Sequence, residues 1–177
     1  METEIPGTAV LLNLSLLAIT FAAVSALVML VRQTMGGSLS NFDVYLITSY
    51  VAFGFAIAVG ATLPAVLVLY DLRPTVLWAI ASSISSVLLG GVVTGVVTRR
   101  HKATSVPMSY GVMFSILMQG LAIAILVVNA TIPAIQGSGV YVGALTLSLA
   151  IIMWGFVRRV SSLLGDKPGE DWDPKRG

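Results

Sequence analysis

The sequence predicts an all-α, polytopic membrane protein with five transmembrane helices, and two observations carry this prediction. Of the 177 residues, 56% are hydrophobic and only 10% are charged, whereas an average soluble domain has about 25% charged residues. The apolar residues also form five long stretches separated by short polar segments. A soluble fold of this length could not bury so much apolar surface, so lipid must be the solvent for much of it.

The five spans are predicted at residues 9–31, 44–70, 75–98, 108–128 and 140–157. Each approaches or exceeds the roughly 20 residues that cross a hydrocarbon core of about 30 Å. Asp71, Arg73 and Pro74 indicate a turn between the second and third spans, because charges need water and a proline can start a helix. Residues 1–160 are therefore predicted to form one transmembrane domain, followed by a polar tail at residues 161–177.

The basic residues predict how the chain faces. Five crossings place the two termini on opposite sides of the membrane. With the N-terminus outside and the C-terminus in the cytoplasm, nine of the ten Lys and Arg residues are cytoplasmic, and only Arg73 is outside. The positive-inside rule favours this orientation. Tyr70, Trp78 and Tyr141 are expected near the outer interface, where aromatic side chains are enriched. The membrane is expected to be a cell membrane, and we assume a bacterial inner membrane.

A similarity between the second and fourth spans has two interpretations. Gly54 and Pro64 in the second are echoed by Gly120 and Pro133 in the fourth, and a helix that ends in two arginines follows each. A tandem repeat of two helical hairpins explains the echo, and so does chance matching in a sequence rich in Ala, Ile and Val. Pro64 and Pro133 are candidate hinges in either case, because proline removes a helical hydrogen bond.

The third span has the most regular pattern. Small or hydroxyl-bearing residues recur every four positions from Ser82 to Thr98, and bulky residues from Ile80 to Val96 occupy the opposite side. Close backbone approach drives helix association in lipid, so we interpret the small side as a helix–helix seam, with the bulky side toward lipid. A hydroxyl-lined path for an ion or solute is the alternative. The candidate packing or pore-lining residues are Ser82, Ser83, Ser86, Gly90, Gly91, Thr94, Gly95 and, in the fourth span, Gln119.

Three other features concern packing. Ala18, Ala22 and Ala26 give the first span a weaker small-residue face. Gln119 is the most polar side chain well inside a span, and a buried amide usually bridges neighbouring helices. Asn129 lies near the end of its span, where we expect it to need no particular partner.

The sequence argues against catalysis and ion-coupled transport. No span has Asp, Glu, Lys, Arg or His near its middle, where proton relays and voltage sensors require such residues. Asp43 and Asp71 are expected at opposite membrane faces, and His101 is expected to be solvated in a basic segment. The absence of cysteine excludes disulfides and cysteine-based metal sites. We therefore expect no enzyme activity, no cofactor, no metal and no nucleic-acid binding.

The expected function is that of a non-catalytic membrane protein. It would self-associate or act as an accessory subunit of a membrane complex through the small-residue faces of the third and first spans. The alternative is an oligomeric passive channel or facilitator lined by hydroxyls of the third span. The expected partners are the lipid bilayer and a second copy or another membrane protein. Trp172 in the tail is a candidate anchor for a cytoplasmic partner, although a solvated, disordered tail is the simpler expectation.

Overall fold

The computed structural model describes residues 7–34, 41–103 and 110–165. These form α1 (Thr8–Thr34), α2 (Asn41–Val68), α3 (Pro74–Ala103), α4 (Tyr110–Thr131), a short 3-10 turn (Pro133–Ile135) and α5 (Ser138–Gly165). All five α-helices are long and apolar enough to span a membrane. The all-helical fold and the five candidate spans are thus confirmed, and they are compatible with a multi-pass membrane protein.

Several helix ends differ from the predicted ones. α2 stops at Val68 because the N–H groups of residues 69–71 donate to carbonyls three residues back, at 3.1–3.2 Å, and form a tight turn. Asp71 closes this turn with φ of +50°, a left-handed conformation that Asp tolerates better than most residues. α5 continues to Gly165, so the first residues of the predicted tail are helical. Residues 104–109, where the fourth span was predicted to begin, and 166–177, with Trp172, lie outside the described residues.

The helices alternate in direction, and each packs against its neighbours in the sequence. α5 also packs against α2 and α1, which closes the bundle. The α2–α3 turn and the 3-10 turn lie at one end, which we call the turn end. Gly7, just before α1, is at this end too, since a Cβ built on it would lie 3.7 Å from Ser138 Cβ. Arg99 and Arg158 lie toward the opposite end, which we call the basic end.

The small-residue face of α1 packs inside the chain. A Cβ built on Gly54 of α2 would lie 2.9 Å from both the Ala18 carbonyl oxygen and Ala22 Cβ. The Ser15 hydroxyl also donates to the Ala58 carbonyl across this contact, at 3.3 Å. Ala18 and Ala22 are therefore not available for association with another protein, which corrects the expectation for these two residues, whereas Ala26 of the same predicted face is exposed.

Aromatic and aliphatic side chains fill the interior between α1, α2 and α5. Phe21, Tyr50 and Phe156 pack edge to face, with ring centroids 5.3–6.3 Å apart. Edge-to-face contacts of this kind add to the stabilisation from packing. The aromatic group therefore holds α5 against the α1–α2 pair.

Candidate functional site

The small-residue stripe of α3 does not stay on one face of the helix. An α-helix turns by about 100° per residue, so positions four apart are offset by about 40°, and the run from Ser82 to Thr98 turns through about 160°. Accordingly, Ser82 is fully buried while Thr94 and Thr98 are exposed. The row of bulky residues turns with it, from exposed Ile84 to Val96, which packs against the core.

This rotation corrects the expected arrangement of α3. Toward the basic end its bulky residues face the bundle rather than lipid, and its glycines are left uncovered. A Cβ built on Gly90, Gly91 or Gly95 would meet no atom within 4 Å. Among residues 7–34, 41–103 and 110–165, these glycines therefore form no helix–helix seam. Exposed Ser83 and half-buried Ser86 donate to carbonyls of their own helix at 2.8 Å.

Tyr141 connects α5 to a proline in α2. Pro64 has no N–H, so the Gly60 carbonyl lacks its usual helical donor. The Tyr141 hydroxyl donates to this carbonyl at 2.6 Å and lies 2.7 Å from Ser85 Oγ of α3. A tyrosine hydroxyl has one proton, so the Ser85 hydroxyl must donate to it. A neighbouring helix thus supplies the bond that Pro64 removes, and α2 continues through the proline.

The structure also corrects the expectations for Tyr141 and for Pro133. Tyr141 does not face the interface, because its side chain is 0% exposed, and Trp78 packs on it with a ring separation of 5.6 Å. Pro133 does not lie within α4 but starts the 3-10 turn, whereas Pro64 is inside α2. The two prolines of the proposed repeat therefore occupy different positions in the fold.

Asn129 links α3, α4 and the start of α5. Its Nδ2 donates to Ser82 Oγ at 2.8 Å, and its Oδ1 accepts from the Gly137 N–H at 3.0 Å. The side chain is fully buried. The Asn129 side chain thus accepts a hydrogen bond from a backbone N–H just before α5. Gly137 itself has no side chain that could cap this helix. The expectation that Asn129 needs no particular partner is therefore wrong.

Gln119 bridges α4 and α5 near the middle of the bundle. Its Nε2 donates to the Ser148 carbonyl at 3.0 Å, and its Oε1 accepts from the Ser148 hydroxyl at 2.6 Å. Both side chains are buried. This is the interhelical bridge expected of a buried amide. Ser148 was not predicted, because a single serine in an apolar helix forms no pattern.

A groove separates α2 from α3 in the half of the bundle nearer the basic end. The two helices approach closely at Gly60, where a Cβ would lie 2.9 Å from Ser85 Oγ. They meet again where the Tyr45 hydroxyl donates to the Val96 carbonyl. A groove of about 360 Å³ lies on the basic side of the Gly60 contact, and its lining includes Val96 and continues to Arg99.

The groove exists because its lining residues are small. Gly91 and Gly95 of α3 and Ala52 of α2 leave space between the helices, and Val87, Leu88 and Val92 supply apolar walls. Thr48 and Ser49 also line it, but their hydroxyls donate to carbonyls of α2 at 2.7 and 2.8 Å. Arg99 is the charged residue of the lining. The sequence pattern revealed the glycines but not the groove, because it does not show which helix faces them.

The buried polar side chains of the described residues form ties between helices. Within them, no three His, Cys, Asp or Glu residues come together in a group that could hold a metal ion. The buried Ser82, Ser85, Gln119, Asn129 and Tyr141 bond to other helices. The side chains of Asp43 and His101 lie outside the described part of the chain.

Comparisons with protein-family models, curated proteins and solved structures found no match to this chain. The five apolar helices indicate a multi-pass membrane protein. Any more specific function must be inferred from the residues described above.

Proposed function

We propose that this is a non-catalytic membrane protein that self-associates or acts as an accessory subunit of a membrane complex through one surface of α3. We call this surface the α3 outer face. It consists of Ser83, Val87, Gly90, Gly91, Thr94 and Thr98. One observation carries the proposal: a Cβ on Gly90 or Gly91 would meet no atom within 4 Å, so another helix has room to approach the backbone there. Close approach of this kind drives helix association in lipid.

The use of the buried polar groups supports a non-catalytic role. The hydrogen bonds of Gln119, Asn129 and Tyr141 tie helices together within the chain. The α3 outer face, by contrast, presents small residues, and no neighbour from the described part of the chain covers its glycines. Such a surface offers packing to a partner rather than chemistry to a substrate.

The orientation proposed with this function puts the N-terminus outside and the basic end in the cytoplasm. It is supported by Arg99 and Arg158 near the basic end and by Arg73 at the turn end. A bacterial inner membrane stays our working assumption. The tandem repeat also stays a hypothesis, supported by the sequence echo, and so does a cytoplasmic partner at the tail.

Cysteine crosslinking in native membranes tests the proposal. The chain has no cysteine, so each introduced thiol is unique. We expect Thr94→Cys to form a crosslinked dimer, or an adduct with a partner, and Val66→Cys, which is 50% exposed on α2, to form neither. Gly90→Leu should reduce the crosslinking of Thr94→Cys at least tenfold. Gly143→Leu is the control, since its position on α5 is also open. Equal crosslinking at both thiols, or a lone monomer in native membranes, would refute the proposal.

A second candidate function is an oligomeric passive channel or facilitator. The observation that favours it is the row of hydroxyl-bearing residues on accessible parts of α3, including Ser86 and Thr94. In a ring of subunits these residues would line a path. Purified protein in liposomes should then pass ions or an uncharged solute, and Ser86→Leu or Thr94→Leu should block the flux. Thr20→Leu, at an exposed hydroxyl on α1, should leave it unchanged. Flux that is absent, or indifferent to the α3 changes, excludes this function.

A further inference from the structure

We infer that the groove between α2 and α3 binds one anionic phospholipid, with an acyl chain along the groove and the phosphate at Arg99. The groove shares Val87 and Gly91 with the α3 outer face, but the lipid site does not depend on the self-association proposed there. Its evidence is the depth, polarity and charge of the groove.

The α3 side of the groove has the length and position of one membrane leaflet. This side runs from Val87 to Arg99, which is about 18 Å at about 1.5 Å per residue, whereas the α2 side runs from Thr48 to Ala52 and covers about the middle third of that length. Half of the hydrocarbon core is about 15 Å. Arg99 lies in the last turn of the candidate span Pro74–Arg100. The α3 wall of the groove therefore extends from about the middle of the membrane to the depth of the lipid headgroups.

The walls of the groove suit a hydrocarbon chain. Most lining residues are apolar, and the hydroxyls of Thr48 and Ser49 are already bonded to α2 carbonyls. An occupant therefore needs to supply no hydrogen bond along this length. The groove volume of about 360 Å³ lies within the range of about 300–1,000 Å³ found for small-molecule sites.

The charge of the groove favours an anionic headgroup. Arg99 lines it, and none of the other lining residues is charged. A guanidinium group can form two parallel hydrogen bonds with a phosphate oxygen pair. The sequence continues with Arg100 and, two residues later, Lys102, which adds positive charge at the same end of α3. A zwitterionic lipid could fill the groove equally well, but it would gain less from this charge.

Lipid titrations followed by native mass spectrometry test the inference. The full chain in detergent micelles is titrated with phosphatidylglycerol or with phosphatidylcholine of the same acyl chains. We expect the first phosphatidylglycerol to bind at least about fivefold more tightly, since one basic residue near a membrane surface contributes about that factor. Arg99→Gln should remove the preference. Arg73→Gln, which removes an exposed charge at the turn end, should retain it.

A second variant tests the groove itself. Gly95→Leu should weaken the first binding event of both lipids about tenfold, because its side chain enters space where no atom lies within 4 Å. Gly120→Leu is the control, since that exposed glycine on α4 is equally open but lies outside the groove. A preference that survives Arg99→Gln overturns the headgroup site. Binding that is unchanged in a folded Gly95→Leu variant overturns the acyl-chain site, and displacement of the lipid by inorganic phosphate would argue for a free anion instead.

Discussion

Pro64 leaves the Gly60 carbonyl without a helical donor in surroundings where no water is available to replace it. The Tyr141 hydroxyl provides the missing proton at 2.6 Å and in turn receives one from Ser85. Gly60 leaves room for the Ser85 hydroxyl at this site, because any larger residue would bring a Cβ to 2.9 Å from Ser85 Oγ. Four residues on three helices thus depend on one another.

Tyr141→Phe should destabilise the protein by about 1–2 kcal/mol, because it removes the donor to a buried carbonyl. In a Pro64→Ala background the same change should cost less, since the N–H restored at position 64 can bond to Gly60 again. The free energy of unfolding in detergent micelles, measured for the four members of this double-mutant cycle, checks the coupling.

Tyr70→Phe is the control for this cycle, because Tyr70 is 70% exposed at the turn end. Its effect should be near zero. An equal cost of Tyr141→Phe with and without Pro64 would show that the hydroxyl does not act through the proline.

Residues such as Tyr141 and Asn129 show what a single sequence leaves undetermined. Hydropathy gives the depth of a residue in the membrane, and both were correctly placed toward the turn end. It does not give the direction in which a side chain points around the helix axis. Tyr141 was therefore assigned to the interface and Asn129 to no role, although both side chains are fully buried against other helices.

At the scale of the helices, length and apolar composition predicted all five spans. The face of α3 was harder to predict, because a four-residue repeat turns steadily around a helix with 3.6 residues per turn. A repeat that mixes steps of three and four residues would have stayed on one face. Ser82 and Ser85 follow such a spacing with Leu89, and these three side chains are fully buried.

The proposed repeat pairs two glycines whose surroundings differ. Gly54 packs against the α1 backbone, with a Cβ position 2.9 Å from the Ala18 carbonyl oxygen, whereas a Cβ on Gly120 would meet no atom within 4 Å. If the two hairpins arose by duplication, packing against α1 now distinguishes the surroundings of Gly54 from those of Gly120. The pair therefore provides a matched test of the α1–α2 contact.

Gly54→Ala should destabilise the protein by about 1–3 kcal/mol, because the added methyl group forces α1 and α2 apart. Gly120→Ala should be neutral or stabilising by up to about 1 kcal/mol, since alanine is the better helix former. Thermal unfolding of both variants in the same detergent measures the difference. Similar effects of the two changes would mean that α1 does not approach Gly54 this closely.

At the scale of the whole molecule, the two ends of the bundle differ in charge. Arg99 and Arg158 lie near the end opposite to Arg73. Positively charged segments are retained in the cytoplasm during insertion, so we propose that this difference orients the bundle. The groove between α2 and α3 lies in the half of the bundle nearer this basic end. The proposed orientation places the groove in the cytoplasmic leaflet, where anionic lipids attract basic residues.

Thiol labelling of single-cysteine variants in intact cells should establish this orientation. Tyr70→Cys, in the α2–α3 turn, should react with a membrane-impermeant maleimide added outside, since the thiol there is exposed to water. Ser161→Cys, beyond the candidate span Ser138–Arg158, should react only after the membrane is permeabilised. Neither change alters the charge of the protein, so the variants keep the distribution that sets their topology. Leu121→Cys, on the exposed side of α4, should stay unlabelled in both conditions because lipid surrounds it. The reverse pattern would invert the bundle and place the groove in the outer leaflet, whereas labelling of both ends from outside would require an even number of crossings.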